Sequence, residues 1–509
     1  MGRKMKLQNR NLTHIRIITI ILIASSVAIV FELLIGTICT YLNGDAGFQL
    51  SLTVGIFLGG MGIGAYQTKN FKHKLTNKLI FIQISTSLLG GFSGLMLYTS
   101  YYIISDSFIL FMILILAAIS ILIGMEVPIL AELLRKSLKE NNAFAKTLSF
   151  DYFGSLIGSL VFPLILLPTF GTVKTAFVVG LINLTSPILL RNFISKTQKK
   201  LADCLIIFVT SLLIVGLYYS EKSIRFFEHK IYKDEILYTE TTKFQRIVLT
   251  KFDDDLRLYS DKELQFSSRD EYRYHESLVH PALALLKKKS EVLIIGGGDG
   301  LAVRELLKET QIKNITLVDI DEKITHLAKN FPLLKKLNRN SLSDKKVNII
   351  HTDGYRFLLN SKVKYDLIIL DFPDPRTETI ARLYSHEFYL LCRKRLDPEG
   401  LLITQASSPY YAREIFWCIN DTLKAVFKNT IPYRIYIPSF GEWGFIIANR
   451  NSFDNINLNL DSKYLNPTIL KNSIYFDTDT NQIEKSVIST LENPVVWRLY
   501  KKKVKYWKS

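Results

Sequence analysis

The sequence predicts a chain in three parts. An N-terminal α-helical transmembrane bundle of about seven helices covers residues 1–220, a small antiparallel β domain covers 221–266, and a Rossmann-like, mainly parallel α/β sheet covers 267–509. Three observations predict it. Residues 1–220 are dominated by apolar runs close to the ~20 residues that a helix needs to cross a hydrocarbon core. Glu291–Gly300, EVLIIGGGDG, reads as a strand ending in a tight glycine turn, and the helical pattern LAVRELLK follows it. From Glu291 onward strand and helix patterns alternate, which favours a parallel sheet with right-handed crossovers.

In the first part, spans are expected near 16–36, 48–66, 79–101, 108–131, 148–168, 173–190 and 202–219. The first is too long for a cleaved leader and lacks a small-residue cleavage site. Loop charge sets orientation. Arg3, Lys4, Lys6, Arg10 and Arg16 precede the first span. Lys69, Lys72, Lys74 and Lys78 mark the second loop, Arg135, Lys136, Lys139 and Lys146 the fourth, and Arg191, Lys196, Lys199 and Lys200 the sixth. The odd-numbered loops carry little more than Asp45, Asp106 and Lys174. The N-terminus and even loops are therefore expected in the cytoplasm. Seven crossings would then leave the soluble part outside, where a nucleoside-dependent enzyme lacks its ligand. The expectation is that one segment does not cross, the pair around Pro163, Pro168 and Gly171 and the last span being the suspects, and that the soluble part is cytoplasmic. Glu32, Glu126 and Asp151 lie within spans and should face protein or a wet cavity, either bonding helix to helix or binding a cation. The glycines at 55, 59, 60, 62 and 64 suit close helix packing.

Residues 236–265 read as short strands, ILYTE, FQRIVLTKF and LRLYS, with turns at Asp253–Asp255 and Ser260–Asp261. In the last part strands are expected near 291–295, 315–319, 347–351, 366–371, 400–405 and 444–448. Gly296 and Gly298 let a ligand approach the main chain and the helix N-terminus. Asp319 ends the next strand, where an acid can accept from a ribose diol. Ligands of such sheets lie beyond the carboxyl ends of the strands. Asp299, Asp319, Asp353 and Asp371 all fall there, and an acidic rim suits a cationic ligand rather than phosphate. In YDLIILDFPDP, Asp371 closes an apolar strand and Asp374 follows within a proline-stiffened turn. Paired carboxylates can take a proton and anchor an amine, although an ordinary Asp-Pro turn would carry the same letters.

The net charge of +18 is distributed largely in the interspan clusters, and no nucleic-acid-binding motif accompanies it, so nucleic acid is not an expected partner. Cys39, Cys204, Cys392 and Cys418 are scattered, without the spacing of a disulfide framework or a zinc site, and no metal is expected.

Read together, SSRDEYRYHESLVHPAL, IIGGGDGLAVREL, HTDGYRF, ILDFPDPRTETIARLYSHEFY and PSFGEWGF resemble the spermidine synthases, the polyamine aminopropyltransferases, over roughly 236–450. GMEVPIL and DYFGSLIGSLVFPLILLPTFG look like the bacterial subgroup that carries an N-terminal multi-span domain. The resemblance implies a methyltransferase-like fold and transfer of the aminopropyl group of decarboxylated S-adenosylmethionine, a co-substrate, to putrescine. Spermidine and methylthioadenosine are the products, and no tightly bound cofactor is involved. It implies a homodimer in a lipid bilayer. By position, Asp371 matches the proton acceptor, Asp374 the partner that holds the amine, and Asp299 the acid that holds the aminopropyl ammonium. Tyr274 and His275 match residues at the polyamine pocket, Gln245 a glutamine near methylthioadenosine, Asp319 the ribose acid, and Asp353 with Gly354 the adenine contact. Asp319 stands where the family more often has Glu, and DFPDP replaces the commoner DSTDP or DSSDP. A small-molecule methyltransferase on the same fold, or a membrane transporter or sensor whose soluble half only binds, are the alternatives.

Overall fold

A computed structural model describes residues 2–43, 46–71, 73–104, 107–138, 142–449, 462–482 and 487–507. The expected loop charges Asp45, Lys72, Asp106 and Lys139 lie outside the described residues. The chain divides into two compact units, Met1–Lys233 and Asp234–Ser509.

The first unit is helical: α1 (Gly2–Asn43), α2 (Ala46–Gln67), α3 (Leu75–Ile103), α4 (Phe108–Leu138), α5 (Ala143–Val161), α6 (Leu167–Asn183), α7 (Thr185–Leu190) and α8 (Lys196–Tyr232). Six helical stretches are long and apolar enough to cross a membrane, and the fifth, Ala143–Phe193, contains 51 residues. The sequence predicts two spans within that stretch. They are two limbs of one helix that folds back on itself. A single π-turn, Phe162–Leu166, follows α5, and Gly171 leaves helical geometry at φ 68°, ψ −171°. The Thr175 hydroxyl donates to the Leu166 carbonyl, nine residues earlier, at 3.1 Å; a straight helix would hold those residues about 13 Å apart.

Close approaches fix the directions of the limbs. Gly154 and Gly158 pack on Leu22 and Ser26 of α1, so α5 runs parallel to α1. Val173 faces Gly94, and Gly180 faces Ser87, so α6 runs antiparallel to α3. Leu213 of α8 reaches Gly180 and Phe177 reaches Gly216, so α8 returns antiparallel to α6. Of the α2 glycines, Gly60 and Gly64 press on Ser120 and Ile121 of α4, whereas Gly55, Gly59 and Gly62 meet no neighbour. Residues four apart share a helix face and the others turn away, so the expectation of close packing holds for two of the five. The apolar part of α8 ends near residue 219, but the helix itself runs on to Tyr232.

The second unit begins with β1 (Glu235–Thr241), β2 (Arg246–Phe252), β3 (Asp255–Ser260) and β4 (Glu263–Ser267), a meander in that order. Then come α9 (Glu271–Leu285), β5 (Glu291–Gly296), α10 (Leu301–Leu306), β6 (Asn314–Asp319), α11 (Glu322–Asn330), β7 (Val347–His351), β8 (Tyr365–Asp371), β9 (Leu396–Gln405), β10 (Thr430–Ile437) and β11 (Gly441–Ala448). The seven-stranded sheet has the order β10-β11-β9-β8-β5-β6-β7. β5 pairs in parallel with both β6 and β8, while β10 and β11 are antiparallel. The strand order runs outward from β5 in both directions, to β6 on one side and β8 on the other, so the ligand crevice lies beyond its carboxyl end.

Neither β4 nor β10 was expected. β10, TIPYRIYI, carries Pro432 and Arg434. Proline demotes a run in a sequence reading, yet an edge strand tolerates it, and β10 is the edge. Central strands β5 and β8 are buried through Val292–Ile295 and Tyr365–Leu370, the continuous apolar runs of a sheet covered on both faces.

Candidate active site

The site grows from the turn after β5. Gly296 and Gly297 adopt φ +85° and +68°, which side-chain-bearing residues avoid. A Cβ at Gly296 would lie 2.0 Å from the Asp371 carbonyl oxygen, and one at Gly297 would lie 2.9 Å from Asp371 Oδ2. The glycine turn therefore sits directly against the end of β8. Gly298 N donates to Asp319 Oδ2 at 3.0 Å, and Asp321 N donates to Asp319 Oδ1 at 2.8 Å. The ribose candidate is thus fixed by two main-chain donors at the end of β6. Asp299 Oδ1 accepts from Leu301 N at 2.9 Å and starts α10.

Asp371 Oδ1 accepts from the Tyr274 hydroxyl of α9 at 2.8 Å. Asp374 Oδ2 accepts from Ser407 Oγ at 3.1 Å, with Gln405 Nε2 at 3.4 Å from Oδ1. Both carboxylates remain partly accessible. Burial pushes Asp371 up to about 6, opposed by the nearby His275 and aided by Asp299. Burial pushes Asp374 up to about 7 and Asp319 up to about 6, and raises Asp299. Burial and the Asp371 charge hold the Tyr274 hydroxyl protonated, well above its ordinary range, so it donates to Asp371 throughout the neutral range.

His275 is buried, and its Nδ1 lies 2.8 Å from both the main-chain oxygen and Oε2 of Glu271. Burial disfavours the charged ring, but the Glu271 carboxylate outweighs it and brings His275 up to about 9. Arg304 grips the same carboxylate at 2.8 and 2.9 Å. Glu271 therefore favours the protonated form of His275 near the acidic rim. Gln245, in the turn before β2, donates to Asp321 Oδ2 at 2.8 Å and accepts from Ser260 Oγ at 2.5 Å. Asp353 caps the helix Gly354–Asn360 by accepting from Arg356 N at 2.9 Å, and its other oxygen pairs with Arg382. A Cβ at Gly354 would strike Ile295 at 2.5 Å, which keeps that helix against β5.

Asp371, Asp374, Asp299, Asp319 and Tyr274 thus converge at the ends of β5, β6 and β8, Gln245 joins through Asp321, and Asp353 pairs with Arg382 beyond the end of β7. Sequence reasoning missed the residues that hold them: Glu271, Asp321, Gln405 and Ser407. Gln405 ends β9, so the strand-end rule could have found it, and Glu271 stands four residues before His275 on one helix face. Arg376, just past the Asp-Pro turn, donates to Ser260 O at 3.1 Å and to Asp261 Oδ2 at 3.0 Å, tying the turn to the β1–β4 sheet. Acids on this rim should make kcat/KM fall with acid. The expectation is that Asp371 and Asp374 work as carboxylates. Activity should climb as pH rises through about 6–7 and then level. A profile flat from about pH 5 to 8 would contradict these assignments.

A doubly wound sheet with a glycine turn and acids gathered at its strand ends suits a nucleoside-linked, cationic ligand. Residues 271–459 match the spermine/spermidine synthase domain family. A polyamine aminopropyltransferase of Leptospira interrogans is 38% identical over 484 residues, covering 94% of this chain and 97% of its own. One of Oceanobacillus iheyensis is 38% identical over 494 residues, covering 94% and 96%. A solved spermidine synthase in complex with the transition-state analogue AdoDATO aligns with TM-score 0.46 at 25% identity, covering 48% of this chain and 86% of that one. The chain belongs to the polyamine aminopropyltransferases, a transferase family. Decarboxylated S-adenosylmethionine is the family's co-substrate.

Proposed function

We propose that the chain makes spermidine from putrescine, with Asp371 as the proton acceptor. The observation that supports this most is the apposition of Asp371 to the glycine turn, 2.9 Å from the position of a Gly297 Cβ. The carboxylate that takes the proton and the turn that seats the nucleoside thereby share one crevice. The donor's sulfonium leaves as a neutral thioether, so its departure needs no acid. The carbon–sulfur bond breaks as the carbon–nitrogen bond forms, and the amine's proton passes to Asp371. Asp374 holds the distal ammonium of putrescine, Asp299 the aminopropyl ammonium, and Asp319 the ribose. Gln245 and Asp353 with Gly354 flank the methylthioadenosine. Most of the rate comes from holding amine and carbon in line.

Supplying the full-length protein with decarboxylated S-adenosylmethionine and a panel of diamines tests this. Putrescine should give the highest kcat/KM, with spermidine as product. Preference for a longer diamine, or methyl transfer in its place, would overturn the reading. A homodimer is expected by family resemblance, and light scattering of the detergent-solubilised protein would measure it.

The six apolar helices make this a membrane protein in our reading, and we place the active site in the cytoplasm because the donor is an intracellular metabolite. The fold-back at Gly171 gives seven alternating passes. A cytoplasmic site and a cytoplasmic N-terminus therefore cannot both hold if every limb crosses. Reporters fused after Lys222 and at the C-terminus, one active only inside and one only outside, should both report the cytoplasm. An external result at both would move the site across the membrane.

A further inference from the structure

The membrane unit holds two carboxylates that the transfer reaction does not use. Glu126 of α4 and Asp151 of α5 each lie within about three turns of the span end beside a basic loop. Glu126 is 3% exposed, faces Gln83 and Thr86 of α3, and lies within electrostatic reach of Asp151. Glu126 Oε1, both polar atoms of the Gln83 side chain, Thr86 Oγ1 and Asn183 Oδ1 of α6 have no hydrogen-bond partner. Gln83, Thr86 and Asn183 are at most 1% exposed. The far side of Asn183 is fully used, its amide donating to Gln83 O at 3.1 Å and Ser87 Oγ at 3.0 Å, so its oxygen is held in a set orientation. Asp151 accepts from Ser25 Oγ at 2.5 Å. Among the described residues, neither carboxylate forms an ion pair with Lys, Arg or His.

Buried polar atoms are ordinarily bonded, and an intramembrane carboxylate is ordinarily paired. Here unpartnered polar atoms of α3 and α4 lie together within reach of a second acid, and among the described residues no cation pairs with either carboxylate. We propose that this cluster binds an alkylammonium ion, with Glu126 as its counter-charge. An ammonium group has three donors and no acceptor, which the Gln83 and Thr86 oxygens can meet beside the carboxylate. Asp151 supplies a second charge for a diamine. A divalent metal fits less well, since it takes six or more oxygens and favours carboxylates, and no group of three His, Cys, Asp or Glu side chains suited to a metal occurs among the described residues. The site is separate from the transfer site, which lies in the other unit, and makes the membrane half an amine-binding element in its own right.

Equilibrium dialysis of radiolabelled putrescine against the detergent-solubilised full chain should give one more bound amine per chain than against Glu126→Gln. That variant should keep transfer turnover within about twofold, since Glu126 is outside the transfer site. Equal stoichiometry in the two proteins overturns the proposal. In the unmodified protein, dicyclohexylcarbodiimide labelling of Glu126, read by peptide mass spectrometry, should be slowed at least about fivefold by saturating putrescine and unaffected by sodium chloride of equal ionic strength. Labelling indifferent to putrescine, or slowed equally by sodium, would rule out an ammonium site even if the variant failed to fold.

Discussion

Asp371→Asn should lower kcat by about a thousandfold while leaving methylthioadenosine affinity within about threefold. The carboxylate closes β8, is fixed by the Tyr274 hydroxyl at 2.8 Å and faces the glycine turn. Asparagine keeps the shape and the contact with Tyr274 but cannot take a proton. The same change should not lower the melting temperature. The folded-state value of Asp371 is pushed up from 3.8 to about 6, so the ionised group costs stability once pH rises through that interval, and the cost is fully present above it. The upper bound is about 3 kcal/mol. A variant that melted well below the parent and lost turnover in proportion would point to a structural role. Stopped-flow turnover with a paired melting curve at pH 7.5 separates the two.

S-adenosylmethionine itself should bind at least about a hundredfold more weakly than its decarboxylated form, a difference of about 2.7 kcal/mol. The carboxylate that distinguishes them would enter a rim made by Asp299, Asp371 and Asp374, where like charges in a partly dry site repel. Arg376 is already engaged with Asp261 and Ser260, and Arg382 with Asp353. Among the described residues, His275 and Arg304 bring positive charge near Asp299, and Glu271 engages both. Isothermal calorimetry on the full-length protein measures both affinities directly. Equal affinities would mean that Asp299 does not face the aminopropyl arm.

The parts legible in the sequence were those with a strong local pattern. The glycine turn, Asp319 and the DFPDP turn each follow an apolar strand, and the strand-end rule places them on one rim before any coordinates are known. The supports were harder to read because they act across long separations. Ser407 and Gln405 meet Asp374 more than thirty residues away, and Asp321 reaches back to Gln245. His275 was read as a pocket residue on the motif alone, and only packing reveals that its ring is clamped by Glu271. In the helical unit, the apolar runs fall within long helices, but hydropathy has no direction. The fold-back at Gly171 depends on one positive φ and one side-chain bond to Leu166, neither of which leaves a trace in apolar content.

The contact between the glycine turn and β8 also bears on redesign. A Cβ at Gly296 would collide with the Asp371 main chain at 2.0 Å, so any residue added there would shift Asp371, the proposed proton acceptor, together with the glycine turn. A side chain at Gly296 is therefore expected to disturb both at once, unlike a change confined to the Asp371 carboxylate. Someone seeking a new amine acceptor would do better at Ser407, which leans on Asp374 from β9's side of the crevice and borders no donor-binding residue named above. A library spread evenly over the pocket would waste most of its members on the seam; one confined to the Asp374 side would sample chain length while leaving the chemistry intact.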